Sequence, residues 1–355
     1  MQNINCIYEV VETPIYPESR WRELGFEMVK RSGASDEEAE IVVDVLVYGS
    51  LWGIDSHGVR ALPVFAKRRA RAEMKVVKEA PSMAILDADH AWGPVSAVRA
   101  MEIAMEKAEG RGIACCSVVN GEWITNLFYY AMMAVGNDMI GVVTAREGPV
   151  CAPWGGTKPV MGTNPMSVGV PAGKKYPIVL DFATTMVAQG HVMTRLLEGR
   201  PIPEGWLIDR QGSPVKGRDL SVETIDEFWE TGGSLLPFGT YKGYGINVVI
   251  DVLGGALNLT GTGSRARGQG FLMTVLDIAS FSPVDDFKEE VDRLIAEIKS
   301  SPVMPGFDEV LLPGEREHRA MERRRREGIP VDERSWRNIL ETCGKLGIDA
   351  KAIME

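Results

Sequence analysis

The 355-residue chain is poor in cysteine and histidine, and no run of apolar residues approaches the length that crosses a bilayer. Its five cysteines are odd in number, none forms a Cys-x-x-Cys pair, and Cys115 and Cys116 adjoin inside an apolar stretch. This pattern argues against a disulfide scaffold or a zinc ribbon and fits buried thiols in a reducing cytosol. The four histidines, His57, His90, His191 and His318, stand in unrelated contexts, so no metal-ligand spacing emerges and no metal is expected. Basic charge is in deficit, 39 Lys and Arg against 49 Asp and Glu for a formal net charge of −10, which speaks against a nucleic-acid partner. Residues 1–12 lack the shape of a signal peptide, so a cytoplasmic protein with no membrane partner is expected. The Gly-x-Gly-x-x-Gly turn of a Rossmann dinucleotide site is missing as well. Gly261-x-Gly263-x-x-Ala266 follows an expected helix, and Gly243-x-Gly245 has no expected strand before it.

What is present is an ordinary globular composition, 45% hydrophobic and 25% charged, with room for two domains or one large mixed one. The first ~110 residues read as helical. Ser35 and Glu38 form a capping box ahead of Ile41, Val42, Val45 and Leu46 at helical spacing, and further helices are predicted over 59–72 and 94–108. Between 113 and 181 the period changes: 113–119, 139–144, 166–170 and 178–180 are short apolar runs bounded by Gly, Pro and Asn, as buried strands are. Helices are predicted at 184–197, 246–258, 285–299, 315–327 and 332–345, with one more strand near 271–276. Strands interleaved with helices make an α/β protein.

Three stretches bear on chemistry. Asp55-Ser56-His57-Gly58 lies between two helical runs, and a loop histidine with an ordinary pKa of about 6.5 suits proton transfer, although from the tetrapeptide alone a capping or loop histidine with a satisfied hydrogen bond is the plainer reading. Ser56 is only a sequence neighbour, which rarely gives nucleophile–base geometry, so a hydrolase is not indicated. Lys242 within Gly239-Thr240-Tyr241-Lys242-Gly243-Tyr244-Gly245 opens a helix whose dipole it opposes. An anion on free amides of Gly243 to Gly245 would reverse that conflict. Asp181 with Thr184 and Thr185 stands where a strand yields to a helix, an arrangement that caps a helix or holds ribose hydroxyls. Gly162-Thr163-Asn164-Pro165 reads as a structural turn, and the arginine run from Arg316 to Arg326 as a solvated, salt-bridged helix.

Taken together, seven ordered segments resemble the malate/L-lactate dehydrogenase family that lacks a Rossmann fold. Its members include ureidoglycolate dehydrogenase, diketogulonate reductase, sulfolactate dehydrogenase and cyclic imino-acid reductases. The segments are Asp55-Ser56-His57-Gly58-Val59, Ala152-Pro153-Trp154-Gly155-Gly156, Gly162 to Pro165, Leu180 to Thr184, Ile202-Pro203-Glu204-Gly205-Trp206, Lys242 to Gly245 and Leu312-Pro313-Gly314-Glu315. The resemblance implies a non-Rossmann α/β fold, with a helical substrate and dimer domain over 1–118, completed by 301–355, around a mixed-sheet cofactor domain over 119–300. It implies NADH- or NADPH-dependent reduction of a carbonyl or imine in a homodimer, near the domain interface. His57 would be the proton donor, with Ser56 beside it. Cofactor contacts would fall on Asp181, Phe182, Ala183, Thr184 and Thr185, on Tyr241, Lys242 and Gly243, and on Gly314, Glu315 and Arg316. Arg60, Trp123 and Glu147 would face the substrate.

The chain departs from the family pattern at three points. Relatives carry an arginine two residues before the proline of Ser-His-Gly-Val-x-Arg-x-Pro; here that position is Ala61, and Arg60 is turned about 100° away if helical. An Asn-His-Phe-Gly-like segment becomes Glu122-Trp123-Ile124-Thr125, so the second histidine is Trp123, and Arg146-Glu147 replaces small polar residues. Losing a carboxylate-holding arginine and gaining an apolar face point to an acceptor bulkier or less anionic than pyruvate or oxaloacetate, a ketone or cyclic imine. His191 is either an ordinary helix-face residue or a substitute polar group. Two other readings stand beside this one: a dehydrogenase of 2-hydroxy acids with Arg60 compensating, and a cofactor-binding protein without catalysis.

Overall fold

The computed structural model describes residues 14–67, 72–197, 200–217 and 233–355. Packing divides the chain into two compact units, Met1–Arg69 with Arg319–Glu355, and Ala70–His318.

The first unit is built from both ends of the chain. Strand Ile15–Tyr16 pairs antiparallel with Ile329–Pro330, which brings helix Glu18–Arg31 beside helix Glu333–Leu346. Trp21 is fully buried and meets Tyr16 and Trp336 edge-on, each with ring centroids 5.9 Å apart, and Tyr16 and Trp336 meet each other tilted at 5.3 Å. Helix Asp36–Leu51 starts at the expected capping box: Ser35 Oγ accepts from the Glu38 amide at 3.2 Å, and the Ser35 amide donates to Glu38 Oε2 at 2.8 Å. Its buried face, including Val42, Val43 and Leu46, packs on helix Glu18–Arg31 at Gly25, where a Cβ would stand 3.1 Å from Val43 and Leu62. Burial of this apolar stripe is the main force holding the helices together.

The second unit is a seven-stranded mixed sheet in the order Lys75–Ala80, Met83–Asp87, Ile113–Gly121, Gln269–Asp277, Met139–Arg146, Met166–Val170, Ile178–Phe182. Only Met83–Asp87 and Ile113–Gly121 run parallel; the crossover between them is helix Gly93–Ala108. That helix and Leu127–Val135 cover one face, and Gly141 and Gly169 admit the second of them, since a Cβ at either would stand 2.8–3.0 Å from Ala131 or Val135. Helix Tyr241–Gly254 covers the opposite face, because Arg146, an odd number of residues from Gly141, meets Gly254 there. A smaller sheet, Ser234–Leu235, Ile202–Ile208 and Pro214–Gly217, closes its own core on Cys151, Met161, Val192 and Leu207.

The mixed α/β class predicted from sequence is observed, and several elements differ from expectation. The helix predicted over 59–72 is a 3-10 turn at Val59–Ala61 and one turn of helix at Leu62–Phe65, and 68–71 lie outside the described residues. The helical reading of the first ~110 residues also fails at strands Lys75–Ala80 and Met83–Asp87, a hairpin closed by Pro81 and Ser82. Strand Lys75–Ala80 lies at the sheet edge and is largely exposed, so no burial pattern marks it. Helix Gln189–Leu197 begins five residues later than predicted, and helix Tyr241–Gly254 five residues earlier. The compact units divide at residues 69 and 318, whereas the functional division expected from sequence lies at 118 and 300. Pairing of 75–80, 83–87 and 113–121 with the later strands carries that stretch into the sheet unit. Among the described residues no helix is long and apolar enough to cross a membrane, and no group of three His, Cys, Asp or Glu could hold a metal.

Candidate active site

In the first unit, helix Asp36–Leu51 ends against a 3-10 turn, Asp55–His57. The turn folds Ser56 back so that its Oγ lies 2.8 Å from His57 Nδ1, a contact that sequence adjacency alone did not promise. Gly58 makes the turn possible: a Cβ there would fall 2.8 Å from the Ser50 amide nitrogen, while Ser50 Oγ accepts from the Val59 amide at 2.9 Å. Asp55 is gripped by Arg324, with Nη1 to Oδ1 at 2.5 Å and Nη2 to Oδ2 at 3.1 Å, and the same guanidinium donates to the Ser50 carbonyl. Bidentate pairing of this kind fixes direction as well as charge. Arg60 faces two carboxylates, Asp332 Oδ2 at 3.1 Å without hydrogen-bond geometry and Asp55 Oδ2 at 3.9 Å. Sequence did not single out Arg324, which it placed on a solvated helix; its side chain is 11% exposed.

In the second unit, the sheet registers bring the expected residues of 122–185 to one end. Gly121 pairs with Gln269, Arg146 with Gly270, Thr144 with Met166 and Met166 with Phe182. The same end therefore carries Trp123, Glu147, Thr163 and the segment from Asp181 to Thr185. Glu147 Oε2 accepts from Thr163 Oγ1, and the Glu147 amide donates to Asn164 Oδ1 at 3.0 Å. Thr163 in turn presents its carbonyl to the Thr184 amide at 2.9 Å and to Thr184 Oγ1 at 2.7 Å. Burial raises the Glu147 carboxyl above its ordinary value, opposed by the Thr163 hydroxyl. The turn Gly162 to Pro165 is structural, as expected: Asn164 is fully buried and donates to Asn247 Oδ1 at 2.8 Å, and Asn247 donates to the Gly162 carbonyl and to Thr184 Oγ1. Neighbouring Arg146 is 1% exposed, gives Nη2 to the Gly268 carbonyl at 2.7 Å, and leaves Nε and Nη1 without an acceptor.

Asp181 caps a helix, though a distant one. Its Oδ2 accepts from the Phe128 amide at 2.8 Å, in the first turn of Leu127–Val135, directly after the Trp123 loop. Burial pushes the Asp181 carboxyl up to about 7, with Glu317 adding to the rise and the Phe128 amide opposing it. The following residues hold the Lys242 loop: the Phe238 amide donates to the Thr184 carbonyl at 3.1 Å, Thr185 bridges Pro237, and Phe182 meets Phe238 edge-on at 5.4 Å. Gly314 lies against the same edge strand, at φ 86° and with the Pro313 carbonyl accepting from the Val179 amide at 3.1 Å. Glu315 is held by Lys299 at 2.6 Å, and exposed Arg316 by Glu317 at 2.6 Å. Arg316 also lowers His191, after burial, which is the larger cause.

One expectation about this loop fails. The amides at the start of helix Tyr241–Gly254 are not free: Lys242 donates to the Gly239 carbonyl at 3.3 Å, Gly243 to Phe238 at 3.1 Å and Tyr244 to Thr240 at 3.3 Å. Thr240, at φ 61° and ψ −122°, aims those carbonyls back at the helix start. What remains is side-chain chemistry. Tyr241 and Lys242 are exposed, Lys242 pairs with no group among the described residues, and Gly245 faces open space.

The family model for malate/L-lactate dehydrogenase matches residues 17–340. The chain belongs to that family. It is 34% identical over 338 residues to L-sulfolactate dehydrogenase of Methanothermobacter thermautotrophicus, covering 91% of this chain and 94% of that one. It is 32% identical over 350 residues to malate/(S)-sulfolactate dehydrogenase of Methanothermus fervidus, covering 94% and 98%. The solved structure of sulfolactate dehydrogenase from Methanocaldococcus jannaschii superimposes with a TM-score of 0.86 at 31% identity, covering 96% of this chain and all of that one. This malate/L-lactate dehydrogenase family member is thus an oxidoreductase with a nicotinamide cofactor. The donor set of the second unit suits such a group: a cation at Lys242 for phosphate, and at Asp181 a carboxylate whose Oδ1 is uncommitted, for ribose hydroxyls.

Proposed function

We propose that the protein reduces the carbonyl or imine carbon of a small acceptor that is bulkier or less anionic than pyruvate or oxaloacetate. The observation that carries this reading is the setting of Arg60. Its charge is already faced by Asp332 and Asp55, so it is poorly placed to hold a substrate carboxylate. Trp123 supports the reading with a broad apolar side chain.

A bound nicotinamide supplies the hydride. The work of the chain is to orient the acceptor, keep water away and deliver one proton. In this reading His57 delivers it from Nε2. Its imidazolium form donates Nδ1–H to Ser56 Oγ, and Asp55, gripped by Arg324, anchors the turn. Tyr241 and Lys242 hold phosphate through their side chains, with Gly243 closing the turn beneath them, while Asp181 holds ribose and positions the segment up to Thr185; Phe182, Ala183, Gly314, Glu315 and Arg316 complete the cofactor surface. Thr184 and Thr185 act through their backbone partners, because both hydroxyls are bonded within the chain. A division into a helical substrate and dimer part and a sheet-based cofactor part belongs to the same proposal.

The second reading, a dehydrogenase of 2-hydroxy acids, is favoured by the names of the relatives at 34% and 32% identity. Substrate profiling separates the two: efficient turnover of pyruvate or oxaloacetate would end the first. For the catalytic assignment, His57→Ala is expected to lower turnover by about 10²–10⁴-fold while NADH or NADPH still binds, read by nicotinamide fluorescence. Lys242→Ala is expected to weaken that binding instead. Binding of neither nucleotide to the unmodified protein would contradict the whole proposal. We further propose a homodimer, supported by the exposed apolar stripe Val248, Val249 and Val252 of helix Tyr241–Gly254, continued by Leu257 and Leu259.

A further inference from the structure

Glu147 stands out among the acidic groups of the sheet end. One oxygen, Oε2, is committed to Thr163 Oγ1, and Oε1 has no partner within the described residues. Burial raises the carboxyl above its ordinary value, while the residue as a whole is only partly buried. No described lysine, arginine or histidine compensates it. Arg146, next in sequence, points to the other face of the strand and donates to Gly268 instead. The position is also fixed. Gly162 leaves no room, since a Cβ there would lie 2.7 Å from the Glu147 carbonyl oxygen, and Asn164 holds the Glu147 amide. Through Thr163 the carboxyl is tied to the segment from Asp181 to Thr185: the Thr163 hydroxyl donates to Glu147 and its carbonyl accepts from Thr184.

We propose that Glu147 is a specificity-determining residue, whose open carboxylate oxygen accepts the N–H of a protonated cyclic imine and so selects an iminium over an anionic 2-oxo acid. This rests on the reductase reading above. The chemistry follows from charge. A desolvated carboxylate lacking a cation recovers the most from a ligand that brings one, and it repels a dianionic oxo acid such as oxaloacetate. Hydride addition at the iminium carbon gives the secondary amine, whose new nitrogen lone pair takes the proton from His57, and overall one iminium, one proton and one reduced nicotinamide give one secondary ammonium ion and one oxidised nicotinamide. Thr163 and Asn164 keep the acceptor aimed.

The test compares a six-membered cyclic imine 2-carboxylate with oxaloacetate as acceptors for the full-length protein and for Glu147→Gln and Glu147→Asp. Gln retains a carbonyl for Thr163 but removes the charge. In Glu147→Gln the ratio of kcat/KM for imine over oxo acid is expected to fall at least about tenfold, mainly through KM, with partial recovery in Glu147→Asp. A ratio unchanged in a Glu147→Gln protein of native thermal stability would overturn the proposal, as would wild-type turnover of oxaloacetate without turnover of the imine. A measurement without variants guards against misfolding: piperidine-2-carboxylate is expected to inhibit the wild type at least about tenfold more tightly than cyclohexanecarboxylate, which lacks the N–H. Equal inhibition would refute the role of Glu147 while leaving the reductase reading intact, whereas failure to bind NADH and NADPH would remove both.

Discussion

Asp181 sits in a conflict that its position explains. It is acidic, desolvated and close enough to Glu317 to feel it, yet among the described residues the only donor it meets is the Phe128 amide. Its carboxyl is pushed up to about 7 in the folded chain. In the unfolded chain it returns to about 3.9. Between those values the folded protein holds a proton that the unfolded one has lost, so this group lowers stability as pH rises through that window, and the loss is complete above it. Asp181→Asn keeps an acceptor for Phe128 without the charge. Its stability relative to wild type is therefore expected to be greater at pH 8 than at pH 5, measured by urea unfolding at both values. The opposite order would mean that the carboxylate is better satisfied than its hydrogen bonds indicate. Cys116 and Cys151 illustrate the same force without function: burial pushes both thiols up to about 12, which keeps them unreactive.

At the scale of elements, the turn Gly162 to Pro165, helix Tyr241–Gly254 and the segment after strand Ile178–Phe182 are joined by amides rather than by apolar packing. Asn247 donates to the Gly162 carbonyl at 2.9 Å and to Thr184 Oγ1 at 2.8 Å, and accepts from Asn164 at 2.8 Å, all with no solvent access to the residue. Asn247→Leu orphans these groups together, and a cost of about 2–4 kcal/mol in unfolding free energy is expected by chemical denaturation. A loss within a few tenths would show that water replaces the amide. None of this was legible in the sequence, because the partners stand 83 and 63 positions away and asparagine in a helix carries no pattern of its own. The same holds for Arg324, whose partner Asp55 is 269 positions distant. What could be read were local signals: the box of Ser35 and Glu38, the short apolar runs bounded by Gly and Pro, and the ordered motifs from Asp55 to Glu315. Hairpin Lys75–Ala80 and Met83–Asp87 was lost because its outer strand faces water on both sides. The early start of helix Tyr241–Gly254 was lost because glycines at its first turn count against a helix, while Phe238 and Thr240 supply the carbonyls that cap it.

For the whole molecule, the proposed dimer makes a prediction of its own. Tyr241, Gly245, Val248, Val249 and Val252 follow one another at helical spacing, all exposed, and Leu259 beyond them is 91% exposed. Sedimentation is expected to give a mass near twice the 38.9 kDa chain, and Val249→Glu to shift it toward one chain. An unaltered mass would place the contact elsewhere.

The first compact unit has a different consequence. Strand Ile15–Tyr16 needs Ile329–Pro330 as its partner, and Trp21 is covered by Trp336, so the two ends of the chain complete one core. A ribosome delivers those ends last and first. The helix that carries Trp21 and Leu24 emerges early and waits, its apolar face uncovered, until about three hundred further residues have been made. The turn bearing His57 shares that delay, since Arg324 arrives in the same late segment. The sheet unit needs no such wait, being drawn from one continuous stretch. In a nascent chain stalled before residue 319 the proposed nicotinamide surface would thus be complete in sequence, while the turn bearing the proposed proton donor would still lack Arg324.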